Sequence, residues 1–276
     1  MEQKLQCVVS DLDDSLLTSD KTISPRDRET IRRLKEKGVY FFIASGRHFS
    51  FVRELASQVG FDLPVICCNG GHVYDYLTGE TLMAKLIPSP VARAVKEYLD
   101  ERKIHYLIYT TESPFFTPGN PRIPFWEEQN RTCAPENRFP IRILEKGFPI
   151  EEHRILKFLV PQATDPIRED LTRDLNQDGS MTIVYSGKGL LDLNAAGACK
   201  GAGVEFLSQH FGFSLENTMA MGDSENDQSM LDLCGWPVVP ENGEDFLKGK
   251  ARFVTAHHDR DPLTAAIRQL FPQLLE

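Results

Sequence analysis

Residues 8–17 read VVSDLDDSLL, an apolar run that ends on a knot of acids. Leu5–Ser10 has the make-up of a short buried strand, and Asp11, Asp13 and Asp14 crowd the point where the chain leaves it. A strand covered on both faces shows a continuous apolar run rather than alternation, so this segment predicts one strand of a parallel sheet. The signature recurs downstream. Ser24-Pro25 predicts a helix with an N-cap serine and a proline at its first position, with Ile31 and Leu34 on its inner stripe and Gly38 at its end. Val39–Ala44 predicts a second strand, followed by Ser45-Gly46-Arg47 and a helix to about Val59, and Val65–Cys68 predicts a third.

The pattern then changes. Val73–Tyr76 and Thr81–Leu86 read as a hairpin, followed by a helix from Pro88 to about Arg102 and a strand at Tyr106–Tyr109. Residues 110–140, rich in Pro, Asn and aromatics, read as loop. A strand at Ile155–Val160, a helix opened by Asp165-Pro166, and strands at Met181–Tyr185 and Leu190–Leu193 complete the block. Helix–strand alternation returns from Gly201: helix 201–211, strand Thr218–Met221, helix 225–233, strands Pro237–Val239 and Arg252–Thr255, and a last helix 261–271. The expected fold is therefore α/β, a doubly wound (Rossmann-like) parallel-sheet core formed by residues 1–83 and 194–276, with an inserted α+β cap over 84–193.

Bulk properties agree with two such units and narrow the function. The chain has 276 residues, 41% of them hydrophobic, and a formal charge of −9. That charge argues against nonspecific binding to nucleic acid or to an anionic membrane. The first residues, MEQKLQCVVSDLDD, hold no apolar stretch as long as a signal-peptide core, and no apolar run approaches the roughly 20 residues that span a bilayer. The six cysteines form no C-x-x-C pair. They read as reduced structural thiols, and a cytoplasmic protein is expected. His257-His258 reads as a surface loop rather than a metal site.

In a doubly wound sheet, ligands bind outside the carboxyl ends of the strands. Four polar clusters fall there: Asp11–Ser15, Ser45–Arg47, Asn69-Gly70 and Gly222–Asp227. In the first, two carboxylates stand two residues apart and share a face if the chain is extended. One suits nucleophilic attack on phosphorus, and the second suits proton transfer to a leaving alkoxide and from water. An acidic Ca²⁺-type loop fits the same residues taken alone. In the last cluster, Asp223 with Asp11 and the backbone carbonyl of Asp13 would make a partial oxygen shell for a hard cation, supported by Asp227, although Ser224 also suits a plain helix cap. Ser45 and Gly46 before a helix can hold phosphoryl oxygens, or form a simple turn. Lys200 opens a helix and is either a solvated lysine or a cation for a transferring phosphoryl group.

Together the order D-x-D, Ser at a strand end, Lys, then G-D-S-x-N-D resembles the haloacid dehalogenase superfamily of phosphohydrolases. The insertion resembles the large cap of its Cof-type (IIB) branch. The matching stretches are VVSDLDDSLL, FFIASGR, CCNGGHVYD, LLDLNAAGACKG and MAMGDSENDQSML, spread over residues 8–230. The resemblance implies a Mg²⁺-dependent phosphatase acting on a small-molecule phosphate ester, a sugar phosphate for instance, through an aspartyl-phosphate, as a monomer or weak homo-oligomer. It implies Asp11 as nucleophile and Mg²⁺ ligand, and Asp13 as general acid/base with its backbone carbonyl on the metal. Asp223 would ligate the ion and Asp227 support it. The Leu12 and Gly46 N–H groups, Ser45, Lys200 and Asn226 would contact the phosphoryl group, and Arg47 and Asn69 would lie at the mouth on the leaving-group side. Asp14 and Ser15 stand where this family usually has Gly and Thr, and Ser45 where Thr is common. Phe115, Phe116, Phe125 and Trp126 are candidates for lining the cap, or for its core. A phosphomutase using the same aspartyl-phosphate, or an inactive binding protein on the same fold, are the rival readings. The second should have lost Asp11, Asp13 or Asp223, and all three are present.

Overall fold

The computed structural model describes residues 4–60 and 62–276, so the first three residues of the N-terminal segment read above lie outside the described residues. The chain runs β1 (Cys7–Ser10), α1 (Pro25–Glu36), β2 (Tyr40–Ile43), α2 (Phe49–Gln58), β3 (Val65–Cys67), β4 (His72–Asp75) and β5 (Glu80–Ala84). The inserted block holds α3 (Ser89–Glu101), β6 (Leu107–Thr110), β7 (Pro114–Phe116), α4 (Ile123–Thr132), β8 (Arg142–Ile143), β9 (Ile155–Pro161), α5 (Asp165–Leu175), β10 (Met181–Tyr185) and β11 (Leu190–Ala195). After it come α6 (Lys200–Phe211), β12 (Thr218–Met221), α7 (Gln228–Leu233), β13 (Trp236–Pro240), α8 (Asp245–Lys248), β14 (Phe253–Thr255) and α9 (Pro262–Leu270).

The expected parallel sheet forms from the fully apolar runs. Its order is β14-β13-β12-β1-β2, every neighbour parallel, with β1 and β12 buried on both faces and the edge strand β14 partly exposed. Because β1 lies between β2 and β12, the direction of winding reverses at the β1–β12 boundary, which is where such sheets open a ligand crevice. The third apolar run behaves differently from the expectation. Among the described residues one isolated parallel bridge, Ala44 to Ile66, ties it to the main sheet. β3 instead pairs antiparallel with β4, and β4 with β5, in a separate three-stranded sheet. An apolar run says that a segment is buried, and leaves open which edge it will pair with.

The inserted block is α+β, as expected. Its sheet has the order β10-β11-β9-β6-β7-β8, antiparallel except at β7–β8. Residues 110–140, read as loop, contain β7, α4 and a 3₁₀ turn at Pro135–Asn137. Pro124 falls in the first turn of α4, where a proline is tolerated because its missing N–H would be unpaired anyway. One apolar cluster runs from the main sheet into this block. Phe51 of α2 stacks on Trp126 of α4 with ring centroids 3.9 Å apart, and Phe139 meets Phe51 edge-on at 4.6 Å. Pairs like these add about 0.5–1.5 kcal/mol beyond their buried area.

A polar seam crosses the same junction. Lys157 of β9 and Asp192 of β11, both fully buried, form an ion pair at 2.7 Å. The Lys157 ammonium also donates to the Gly46 carbonyl at 2.7 Å, and the Asn69 amide donates to Asp192 at 2.7 Å. His48, which caps α2 by accepting the Ser50 N–H at Nδ1, donates from Nε2 to the Thr110 carbonyl at 3.0 Å. No helix among the described residues is long and apolar enough to cross a membrane.

Far from the crevice, α1 is tied to α9 by a buried acid. Asp27 accepts the Thr264 N–H at 2.8 Å and its hydroxyl at 2.7 Å, both on Oδ1, while Oδ2 has no partner among the described residues. Burial pushes this carboxyl up to about 6, against the Thr264 hydrogen bonds. The folded state therefore holds the proton more tightly than the unfolded chain. Asp27's contribution is full below its ordinary value of 3.8 and is lost as pH rises through about 6. Asp27→Asn keeps the accepting oxygen and removes the titration. Its stability relative to wild type, from denaturant melts, is expected to rise by on the order of 2 kcal/mol between about pH 4.5 and about pH 8. A difference that stays flat with pH would refute the assignment.

Candidate active site

β1 and β12 run in register, Ser10 beside Met221, and the Asp11 N–H donates to the Met221 carbonyl at 2.9 Å. Two strands ending level deliver Asp11 and Asp223 to the same crevice. Lys200 starts α6 and is fully buried; its ammonium lies 2.5 Å from Asp11 Oδ1 and 2.5 Å from Asp227 Oδ1. The other Asp227 oxygen accepts the Asp223 and Ser224 N–H groups at 2.9 and 3.0 Å. Gly222 makes that fold-back feasible, since a Cβ there would sit 2.5 Å from Asp227 Cβ. Asp223 accepts the hydroxyls of Ser15 and Ser224, each at 2.7 Å. Ser224 does close a capping box with Asp227, so the helix-cap reading and the acidic-site reading both describe this turn.

One carboxylate oxygen from each of Asp11, Asp223 and Asp227 lies within 4.8 Å of the others. Three buried acids thus face a single ammonium. Burial pushes the Asp11 carboxyl up, Lys200 pulls it down, and Asp227, Asp223 and Asp13 push it up again. Asp223 is pushed up to about 7 by burial and by Asp227, against its two hydroxyl donors and Lys200. Burial alone would lower the Lys200 pKa, but the two carboxylates outweigh it and raise it. Lys200 does not balance the charge of three ionised acids. An all-oxygen donor set short of positive charge fits a hard divalent cation such as Mg²⁺, with Asp11 and Asp223 to hold it. Asp227, already bonded to Lys200 and two N–H groups, fits a supporting place.

The other acids of the first cluster turn elsewhere, so the Ca²⁺-loop arrangement does not form. Asp13 receives a two-pronged pair from Arg47, 2.7 Å from Nε and 2.6 Å from a terminal nitrogen, and lies 3.3 Å from Lys21. Burial disfavours its charge, yet Arg47 and Lys21 hold the carboxyl well below the usual range. Asp14, where this family usually has Gly, takes a left-handed φ of 58°, a conformation that Asp tolerates better than most side chains. Leu12 points its side chain into the core, so its backbone alone can serve the site.

Asp11, Asp13, Ser45, Gly46, Arg47 and Asn226 share one cavity of about 280 Å³. Asn69 departs from expectation: it is buried and outside this cavity's lining rather than at its mouth, donating to Asp192 and Asn194 and accepting from Asn226 at 3.0 Å. A Cβ on Gly46 would lie 2.8 Å from Asn69 Oδ1, which seats this loop against the seam. The inserted block supplies the other wall through Tyr109, Arg122, Phe125, Trp126, Ser186 and Lys188. Of the four aromatics singled out in the sequence, Phe125 and Trp126 line it, whereas Phe116 is core and Phe115 packs on Phe148 and His153. Sequence reading missed Arg122 and Lys188, which belong to no motif. The early-helix Pro124 was the one local signal that residues 122–126 are ordered. His257-His258 lies in a loop, with His257 half-exposed and only the His258 side chain turned inward, its Nδ1 donating to the Leu17 carbonyl at 2.8 Å.

The profile of the haloacid dehalogenase-like hydrolase family matches residues 8–267. The chain belongs to this family. Curated relatives include the pyridoxal phosphate phosphatase YbhA of Escherichia coli (strain K12), 28% identical with 94% of this chain and 96% of that protein covered. The 5-amino-6-(5-phospho-D-ribitylamino)uracil phosphatase YwtE of Bacillus subtilis (strain 168) is also 28% identical, covering 96% of this chain and 98% of YwtE. A haloacid dehalogenase-like hydrolase from Bacteroides thetaiotaomicron superposes with a TM-score of 0.80 at 25% identity, over 97% of this chain and 100% of that one. The subclass IIB sugar phosphatase BT4131 has a TM-score of 0.82 at 20% identity, covering 96% and 98%, and so shares the fold. The expected enzyme class, a phosphoric monoester hydrolase, agrees with these relatives.

Gly222 packs closely on Asp227, one of the two carboxylates that hold Lys200. Gly222→Ala must displace Asp227, and it is expected to lower kcat for phosphate release by about 10- to 100-fold while the protein stays folded by circular dichroism. A folded Gly222→Ala enzyme with wild-type kcat would show that this contact does not position the site.

Proposed function

We propose that this hydrolase is a Mg²⁺-dependent phosphatase of small phosphorylated metabolites, sugar phosphates among them, and that it works through an aspartyl-phosphate on Asp11. The meeting of Asp11, Asp223 and Asp227 around Lys200 at the winding reversal carries the reading. Asp11 and Asp223, with the Asp13 backbone carbonyl, would hold the ion, which when bound supplies charge neutralisation for phosphoryl oxygens.

The chain's own residues do the rest. An Asp11 oxygen attacks phosphorus in line, an O–P bond to Asp11 forms, and the bond to the leaving oxygen breaks. Lys200, the Ser45 hydroxyl, Asn226 and the backbone N–H groups of Leu12 and Gly46 orient the phosphoryl oxygens. Asp13 protonates the departing alcohol and then takes a proton from the attacking water. Water oxygen replaces Asp11 on phosphorus, and inorganic phosphate leaves with the Asp11 carboxylate restored. Arg47, now paired with Asp13, would turn to the substrate phosphate and free Asp13 to carry a proton. Residues 84–193 serve as the cap that excludes water and selects the leaving group, over a core of 1–83 and 194–276. The enzyme acts as a monomer or weak homo-oligomer in the cytoplasm.

Phosphate release from simple sugar phosphates, measured with Mg²⁺ and with EDTA, separates hydrolysis from mutase transfer. Asp11→Asn is expected to lower kcat by on the order of 10³ or more, and EDTA to abolish turnover until Mg²⁺ is restored. Release that is indifferent to EDTA, or that survives Asp11→Asn, refutes the mechanism.

A further inference from the structure

The cations around the cavity fall into two sets. Those on the floor have partners: Lys200 sits between Asp11 and Asp227, Arg47 grips Asp13, and Lys21 lies between Asp13 and Asp14. Those on the wall from the inserted block have none. Neither Arg122 nor Lys188 makes an ion pair or side-chain hydrogen bond among the described residues, although the chain carries 40 acids against 31 lysines and arginines. Arg122 is half-buried, its guanidinium carbon 4.2 Å from the centre of the Phe125 ring and 5.8 Å from that of Trp126. Such stacking fixes the plane of the fork and leaves its N–H edge free for an acceptor. Burial lowers the Arg122 pKa, and the like charge of Arg47 adds to this, against Tyr109 and Asp13. A half-buried cation held without a counterion costs stability, and an anionic ligand would relieve that cost. Lys188 lies at the tip of the turn between β10 and β11, on the same cavity.

We infer that the leaving group of the natural substrate carries a second anionic group, a carboxylate or a second phosphate, which Arg122 and Lys188 bind across the cavity from Asp11. The inference rests on the phosphatase reading above and names its substrate class. The scissile phosphate meets the floor, where Lys200 and Ser45 lie, so the wall cations are left to the far end of a small two-headed ester. A planar fork matches either carboxylate or phosphate in two-pronged fashion, and such charge-assisted contacts are stronger than neutral hydrogen bonds.

Two substrate pairs test this with the Mg²⁺-supplemented full chain: 3-phosphoglycerate against glycerol 3-phosphate, and fructose 1,6-bisphosphate against fructose 1-phosphate. The first pair adds a carboxylate and the second a phosphate, so the arms tell the two anions apart. Wild type is expected to favour the two-headed member of at least one pair by about 10- to 100-fold in kcat/KM. Arg122→Ala is expected to reduce that ratio by about tenfold or more, chiefly through KM, and Lys188→Ala, in an exposed turn, to reduce it as well. Equal kcat/KM within both pairs, or ratios unchanged in both variants, overturns the inference. Turnover of p-nitrophenyl phosphate keeps the two failures apart. Wild type that hydrolyses it yet ignores the second anion sinks this inference alone, whereas wild type that releases phosphate from none of the five esters sinks the phosphatase reading with it.

Discussion

Three carboxylates meet one ammonium where β1 and β12 end side by side, and the rest of the molecule is arranged to make that meeting tolerable. Taking several like charges out of water is costly, and a single buried lysine returns only part of the cost. The parallel register of Ser10 with Met221 fixes the spacing, and the chain has little freedom to relax it because both strands are covered on both faces. What remains is a local excess of negative charge at the spot where a doubly wound sheet opens. On the proposed reading, a hard cation lowers that excess and so lets an anionic phosphoryl group approach. Strain of this kind is expected where function overrides the ordinary rules of burial.

Much of this was legible because the parallel sheet writes itself as apolar runs that end on polar clusters. VVS before Asp11 and TMAM before Gly222 carry both the burial and the crevice. Lys200 was harder to read. As a lone lysine at a helix start it looks solvated, and only the superposition of three distant segments puts it between Asp11 and Asp227. Residues 110–140 failed for a different reason. Short elements such as β7, stabilised by pairing with β6 rather than by their own pattern, give no periodicity to find. Asn69 was assigned to the right neighbourhood and the wrong depth, because a motif fixes sequence position and says nothing about which partner claims a side chain.

Junctions between the two sheets were invisible in the sequence altogether. Lys157 sits in an apolar strand and Asp192 in another, where each alone reads as a misplaced charge. Paired at 2.7 Å, with the Gly46 carbonyl and the Asn69 amide as further partners, they become a directional fastening. Apolar packing such as Phe51 on Trp126 holds two surfaces together but tolerates small slides. The hydrogen bonds from Lys157 to the Gly46 carbonyl and from the Asn69 amide to Asp192 do not, since a slide would leave buried polar groups short of their partners. The fastening lands on Gly46, one residue from Ser45, so it registers the inserted block against the loop proposed to face the phosphoryl group.

That registration has a consequence for specificity. On the proposed reading the catalytic floor is set by the main sheet and can serve many leaving groups alike. The far wall comes from the inserted block, where Arg122, Trp126 and Lys188 belong to two separate elements that no motif constrains. With the seam at Lys157–Asp192 holding the block in place, exposed wall positions such as Lys188 can vary in side chain, on that reading, without disturbing the attack on phosphorus. On the same proposed reading, chemistry and substrate choice are thus separated physically, the first by strand register and the second by an inserted wall whose cations would meet a second anion.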